Sequence, residues 1–230
     1  MTNILLEVCV EDAAGLRAAV DGGADRIELC SALSVGGLTP SPGLMALAGK
    51  VDIPVYAMIR PRPGDFVFDA SDMDIMRIEI DAARSAGLAG VVLGASRPDG
   101  RLDKEALKTL VDHAHGLGLT LHRAFDLVPD PVEALDVAMT LGVERILTSG
   151  LVPRAIDGVN LLKQLVDQAG TRLSIMPGKC RGDARDASEL RCKGGMRILD
   201  ASTLLNVPNN AGTLQCRRCI LRAESRRRYR

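Results

Sequence analysis

The stretch "NILLEVCVEDAAGLRAAVDGGADRIELC", residues 3–30, decides the fold. It opens on a short apolar run (3–9), passes through a segment of helical period that ends on paired glycines (11–23), and returns to a second apolar run (25–30). A crossover of that length makes the two flanking strands parallel, joined in the right-handed sense. The alternation continues down the chain. Further strands are predicted at 54–60, 89–94, 119–122, 144–149, 173–177 and 196–201, making eight. The helical segments between them mostly end on a glycine suited to the left-handed capping position. Eight such units point to an α/β fold of the TIM type, a closed (β/α)8 barrel of parallel strands. An internal repeat agrees: residues 11–27 and 130–146 share Leu16/Leu135, Ala19/Ala138, Gly23/Gly142 and then Arg26-Ile27 against Arg145-Ile146. Two matching halves close a barrel, whereas a doubly wound sheet reverses its strand order midway.

Length and composition narrow the function classes. With 230 residues, 47% apolar content and no net charge, the chain can bury one full core. No apolar run is long enough for a membrane span and no leader pattern follows "MTN", so a cytoplasmic protein is expected. Six cysteines scattered through 230 residues are read as reduced thiols rather than a disulfide framework. The charge is unevenly divided: residues 179–230 hold 13 Lys and Arg against 5 Asp and Glu, the rest 16 against 24. With 2% aromatics and no Trp, the basic end lacks the stacking platforms of a nucleic-acid binder, and none is expected.

Buried parallel strands should read as continuous Val, Ile and Leu, so polar groups at their ends call for a site. "EVC" ends the first strand with Glu7 and Cys9, and "ELC" ends the second with Glu28 and Cys30. Side chains two apart share a face, so each pair should point the same way. "MIRPR" adds Arg60 and Arg62 above Met58, "LTSG" adds Ser149, and "IMPG" adds Met176. "LHRAFD" directs His122 inward, with Asp126 in phase if the backbone stays extended and Arg123 out of phase. All these lie at the downstream ends of strands, the face where such barrels carry function. Two chemistries compete for them. Cys9 and Cys30, helped by a methionine, form a soft donor set that suits Cu(I). Alternatively Glu7, Glu28, His122 and Asp126 act in acid–base catalysis, with Arg60, Arg62, Arg123, Ser149 and Met176 binding a small anionic substrate. Loops 31–43 and 61–72 flank the same face, and the latter carries Phe66 and Phe68 as a lid or partner surface.

In the order "LLEVCVED", "GGADRIELCSALSVGGLTPS", "MIRPRPGDFVF", "LHRAFD", "RILTSG" and "IMPG", the sequence closely resembles the CutC family, named for copper homeostasis. The resemblance runs over about residues 4–178. It implies a cytoplasmic (β/α)8 barrel, a homodimer, and a role in copper handling with Cys9 and Cys30 as copper ligands. After Met176 the pattern departs: "MPGKCRGD" stands where family members carry a run of glycines. A divergent anion loop, a metal clip of Cys180, Cys192, Cys216 and Cys219, and a shifted reading frame each account for this. The barrel domain is accordingly placed at 1–202, with a divergent basic tail at 203–230.

Overall fold

The computed structural model describes residues 5–178 and the backbone of a strand at 196–200. The strands are β1 (Leu5–Val10), β2 (Arg26–Leu29), β3 (Val55–Met58), β4 (Gly90–Leu93), β5 (Gly118–Leu121), β6 (Arg145–Thr148), β7 (Ser174–Pro177) and β8 (Met196–Asp200). All pairs are parallel, in the order β7-β6-β5-β4-β3-β2-β1-β8, and β8 also runs beside β7, so the sheet meets itself as a barrel. Among the described residues six helices surround it: α1 (Ala13–Asp21), α2 (Pro42–Ala48), α3 (Ala70–Ser85), α4 (Lys104–His113), α5 (Pro131–Thr140) and α6 (Val159–Ala169). Every strand in the sequence reading is present. Helix α2 is an addition, hidden in sequence by its length of seven residues.

Local chemistry starts these helices where it should. Asp12, Asp69, Asp103 and Asp130 each accept a backbone N–H from the first turn of α1, α3, α4 and α5, worth about 1 kcal/mol per cap. In α3 the cap is reciprocal, because Asp72 accepts from the Asp69 backbone. Alternate strand residues such as Val8, Ile27, Ala57, Val91, Leu121 and Ile146 point outward and pack with Leu16, Ile80, Leu110, Leu135 and Leu162 of the helices in one apolar layer. Burying each large side chain there contributes roughly 1.5–3 kcal/mol. The other parity faces the barrel axis. Lateral pairs Glu7 with Arg26, Cys9 with Glu28, Glu28 with Tyr56, and Thr120 with Arg145 fix which inward groups stand side by side.

Two expectations change. The chain after β5 does not stay extended: residues Arg123–Leu127 form a 3-10 turn, started by His122, whose Nδ1 accepts the Ala124 N–H at 3.1 Å. Asp126 is therefore swung out of phase with His122. The phenylalanines of loop 61–72 are packed by their own chain instead of left free. Phe68 joins the edge of the apolar layer beneath the Arg62 guanidinium, and Phe66 lies between Arg60 and His122.

Candidate functional site

Four inward positions come together as the sequence parity suggested. Glu7, Cys9, Glu28 and Cys30 are all buried on the inner face of β1 and the end of β2. The Cys30 thiol donates to Glu28 Oε1 at 3.6 Å, and the Cys9 thiol bonds to the same carboxyl group, so one acid sits between two thiols. Burial and the adjacent Glu7 carboxylate push Glu28 up to about 8, against the pull of both thiols and Arg26. Burial, with Glu28 next, also pushes both thiols well above their ordinary range. The cluster is thus protonated and neutral near pH 7. Glu7 is raised by burial too, but it is the member that pairs with Arg26.

Soft atoms surround this acid. Met58, Tyr56 and Val92 pack on Cys30, Leu147 and Met176 pack on Cys9, and Leu33 covers both groups from loop 31–43. Leu33 is held there by its backbone N–H to Glu11 at 2.7 Å. Gly37 of the same loop has φ +87°, a conformation that calls for glycine, and a Cβ there would stand 3.2 Å from the Cys30 sulfur. The Met176 sulfur faces downward instead, accepting from Arg26 Nη2 at 3.4 Å.

His122 closes the β5 end and is only 3% exposed. Burial, and then the Arg60 charge, lowers it to about 3, so the ring is neutral. Since Nδ1 accepts from Ala124, Nε2 carries the proton, and it has no partner among the described residues. Arg60 is buried at the β3 end, its terminal nitrogens donating to the carbonyls of Val35, Gly37 and Gly64. Arg62 is not part of this group. It turns outward to Asp72 at 2.8 Å, Asp65 at 3.1 Å and the Val67 carbonyl.

Arg123, Asp126 and Ser149 form a separate assembly between the ends of β5 and β6. The Asp126 carboxylate accepts from Arg123 Nε, Thr148 Oγ1, the Ser149 backbone and hydroxyl, and the Leu151 backbone, at 2.5 to 3.2 Å. With its lone pairs so occupied, Asp126 is a latch between two loops. The single Ser149 hydroxyl proton is shared between Asp126 and the Val152 carbonyl, and the same oxygen accepts from Arg123 Nη2 at 2.7 Å.

Deeper in the barrel lies a polar layer absent from the sequence reading of the site. Arg26 and Arg145 both stack on the Tyr56 ring, 4.9 and 4.5 Å from its centroid, and Arg145 Nε donates to Thr120. These arginines are the corresponding residues of the internal repeat. Parity with Glu28 and Leu147, two residues on in each strand, marks both as inward.

As for a metal, no cluster of three or more His, Cys, Asp or Glu able to hold one occurs among the described residues. The donors that fit Cu(I) are fewer and softer: the Cys9 and Cys30 thiols, with the Met58 thioether beside Cys30. Cys180, Cys192, Cys216 and Cys219, and the glycine-poor turn after Met176, lie outside the described residues, as does any site they form. No helix among the described residues is long and apolar enough to cross a membrane.

Comparisons with known proteins identify the family. A Sinorhizobium medicae protein of the CutC family is 67% identical over 178 residues, 77% of this chain and 73% of that protein. A Photobacterium profundum member is 49% identical over 201 residues, covering 87% and 82%. Among solved structures, a Streptococcus agalactiae protein described as a copper homeostasis protein, CutC, superimposes with a TM-score of 0.79 at 32% identity, over 86% of this chain and all of that one. Residues 4–204 match the CutC family as a whole, and with relatives this similar over most of their length the chain belongs to the CutC family.

Proposed function

We propose that this protein handles Cu(I) as cargo in the cytoplasm, as a homodimer, taking the ion at Cys9 and Cys30. The observation that carries this reading is the convergence of both thiols on the Glu28 carboxyl under Leu33, with the Met58 thioether alongside. Soft sulfur donors in a water-poor pocket favour a soft monovalent ion over harder competitors. Because the thiols start protonated, loading releases protons, and affinity rises with pH. The test is an anaerobic Cu(I) titration of the wild type against Cys9→Ser with Cys30→Ser. The wild type is expected to take up one equivalent more, and equal uptake would remove the reading.

A second reading is favoured by one specific observation: Glu28 holds its proton to about pH 8 beside Glu7, which is paired with Arg26. A carboxyl group that keeps its proton near neutrality beside one held in an ion pair is what an acid–base enzyme needs. Here Glu28 is the acid, Glu7 the stabilising charge, and His122 a neutral hydrogen-bond donor to a small anionic substrate. Asp126 and Arg62 are left out of this scheme, for the contacts given above.

A further inference from the structure

Arg60 is a buried cation without an anion. Its side chain is almost wholly enclosed, at 5% residue exposure, yet no carboxylate pairs with it among the described residues. Its terminal nitrogens meet only neutral carbonyls, and Nε has no partner among the described residues. A buried charge without a counter-charge is costly, by several kcal/mol in typical cases. Nearby is a second donor in the same condition, His122 Nε2. Gly94 explains why they are neighbours: it directly follows β4, the strand between β3 and β5, whose ends lead into Arg60 and His122, and a side chain there would overlap the imidazole. The ring therefore lies across β4 toward β3. Phe66 touches both groups, its centroid 4.8 Å from the Arg60 guanidinium carbon and 4.6 Å from the His122 ring.

We propose that Arg60 Nε and His122 Nε2, beside Phe66, form an anchor for the oxyanion of a small ligand, a carboxylate or a phosphate. The anchor supplies one cation and two N–H donors in a site with low water content, where charge-assisted bonds are strongest. It differs from the phosphate site usual in such barrels, which is built from the loops after the seventh and eighth strands. The assignment names a ligand class for the acid–base reading and is independent of the copper reading, since neither donor is one of the sulfur ligands.

The test is a titration of the full-length, 15N-labelled protein with inorganic phosphate and, separately, with acetate, against sodium chloride at matched ionic strength. The Arg60 Nε–H and His122 Nε2–H resonances are expected to move together and saturate with one midpoint. His122→Gln should weaken that midpoint roughly tenfold, as the loss of one hydrogen bond to a charged group does. Saturation by only one of the two probes supports the anchor and identifies its oxyanion. Resonances that stay still up to about 50 mM, where even millimolar binding would be near saturation, overturn it. So does a midpoint unchanged in His122→Gln, or shifts reproduced by chloride. Repeating the titration on Cys9→Ser with Cys30→Ser should leave the midpoint unaltered, so failure of the copper reading is seen separately. Saturable binding without turnover of any carboxylate or phosphate substrate would remove the enzyme reading alone.

Discussion

Glu28 carries its proton up to about pH 8 in the folded protein, while the unfolded chain loses it at an ordinary carboxyl value. Between those limits the unfolded state binds fewer protons, so this group's contribution to stability declines as pH rises from about 4.5 to about 8. His122 behaves in the opposite sense. Its folded value of about 3 lies below the unfolded one, so its contribution is complete above about pH 6.5 and is lost as pH falls toward 3. Urea unfolding of Glu28→Gln should therefore show the variant gaining on the wild type between about pH 5 and about 8, on the order of a few kcal/mol at the upper end. His122→Gln should gain on it only below about pH 6.5. Differences that do not vary with pH would contradict both assignments. Sequence parity located these two groups, because charge inside a buried strand is conspicuous. It misplaced Asp126, because the backbone turn that redirects it depends on the His122 side chain capping its own loop, a contact that spacing does not reveal.

Strand register decides two further outcomes. Cys9 lies opposite Glu28 rather than Cys30, so the two thiols are offset by two residues along neighbouring strands. That places their Cα atoms ~8 Å apart, beyond the ~7 Å that a disulfide spans without backbone movement. Mild oxidant should leave both thiols titratable after denaturation, as measured by mass after alkylation; a Cys9–Cys30 crosslink would contradict the register. The second outcome concerns Tyr56, whose ring lies over β4 and β5, where Gly90 and Gly118 leave room for it. Gly118→Ala meets only the Tyr56 side chain, whereas Gly90→Ala also meets the Gly118 carbonyl. Each alone should destabilise by about 1–3 kcal/mol or more. Adding Tyr56→Ala should relieve the clash at 118 but leave much of it at 90, a difference that paired denaturation curves will show. Strands and capped helices were readable because alternation and Asp caps are local signals. The Tyr56 layer was not, since its glycines matter only through a ring contributed by another strand.

At the scale of the molecule, the pairing of β8 with β1 makes the barrel dependent on sequence beyond residue 178. A chain ending at 202 should melt cooperatively at the wild-type temperature by circular dichroism, and one ending at 178 should lose that transition, because it exposes both edges of the sheet. A lower midpoint for the chain ending at 202 would move the domain boundary outward. The eightfold architecture was legible from the repeat of strand and helix, and its halves from residues 11–27 and 130–146. Less visible was that the repeat extends to the interior, where Arg26 and Arg145 reach one aromatic ring from opposite halves. That ring has a practical value. The chain has no tryptophan and just two tyrosines, at 56 and 229, so Tyr229→Phe leaves Tyr56 as the sole ultraviolet chromophore of its kind. Its emission and near-ultraviolet dichroism then become a built-in optical gauge of the barrel axis, readable during metal loading or anion titration without any attached label.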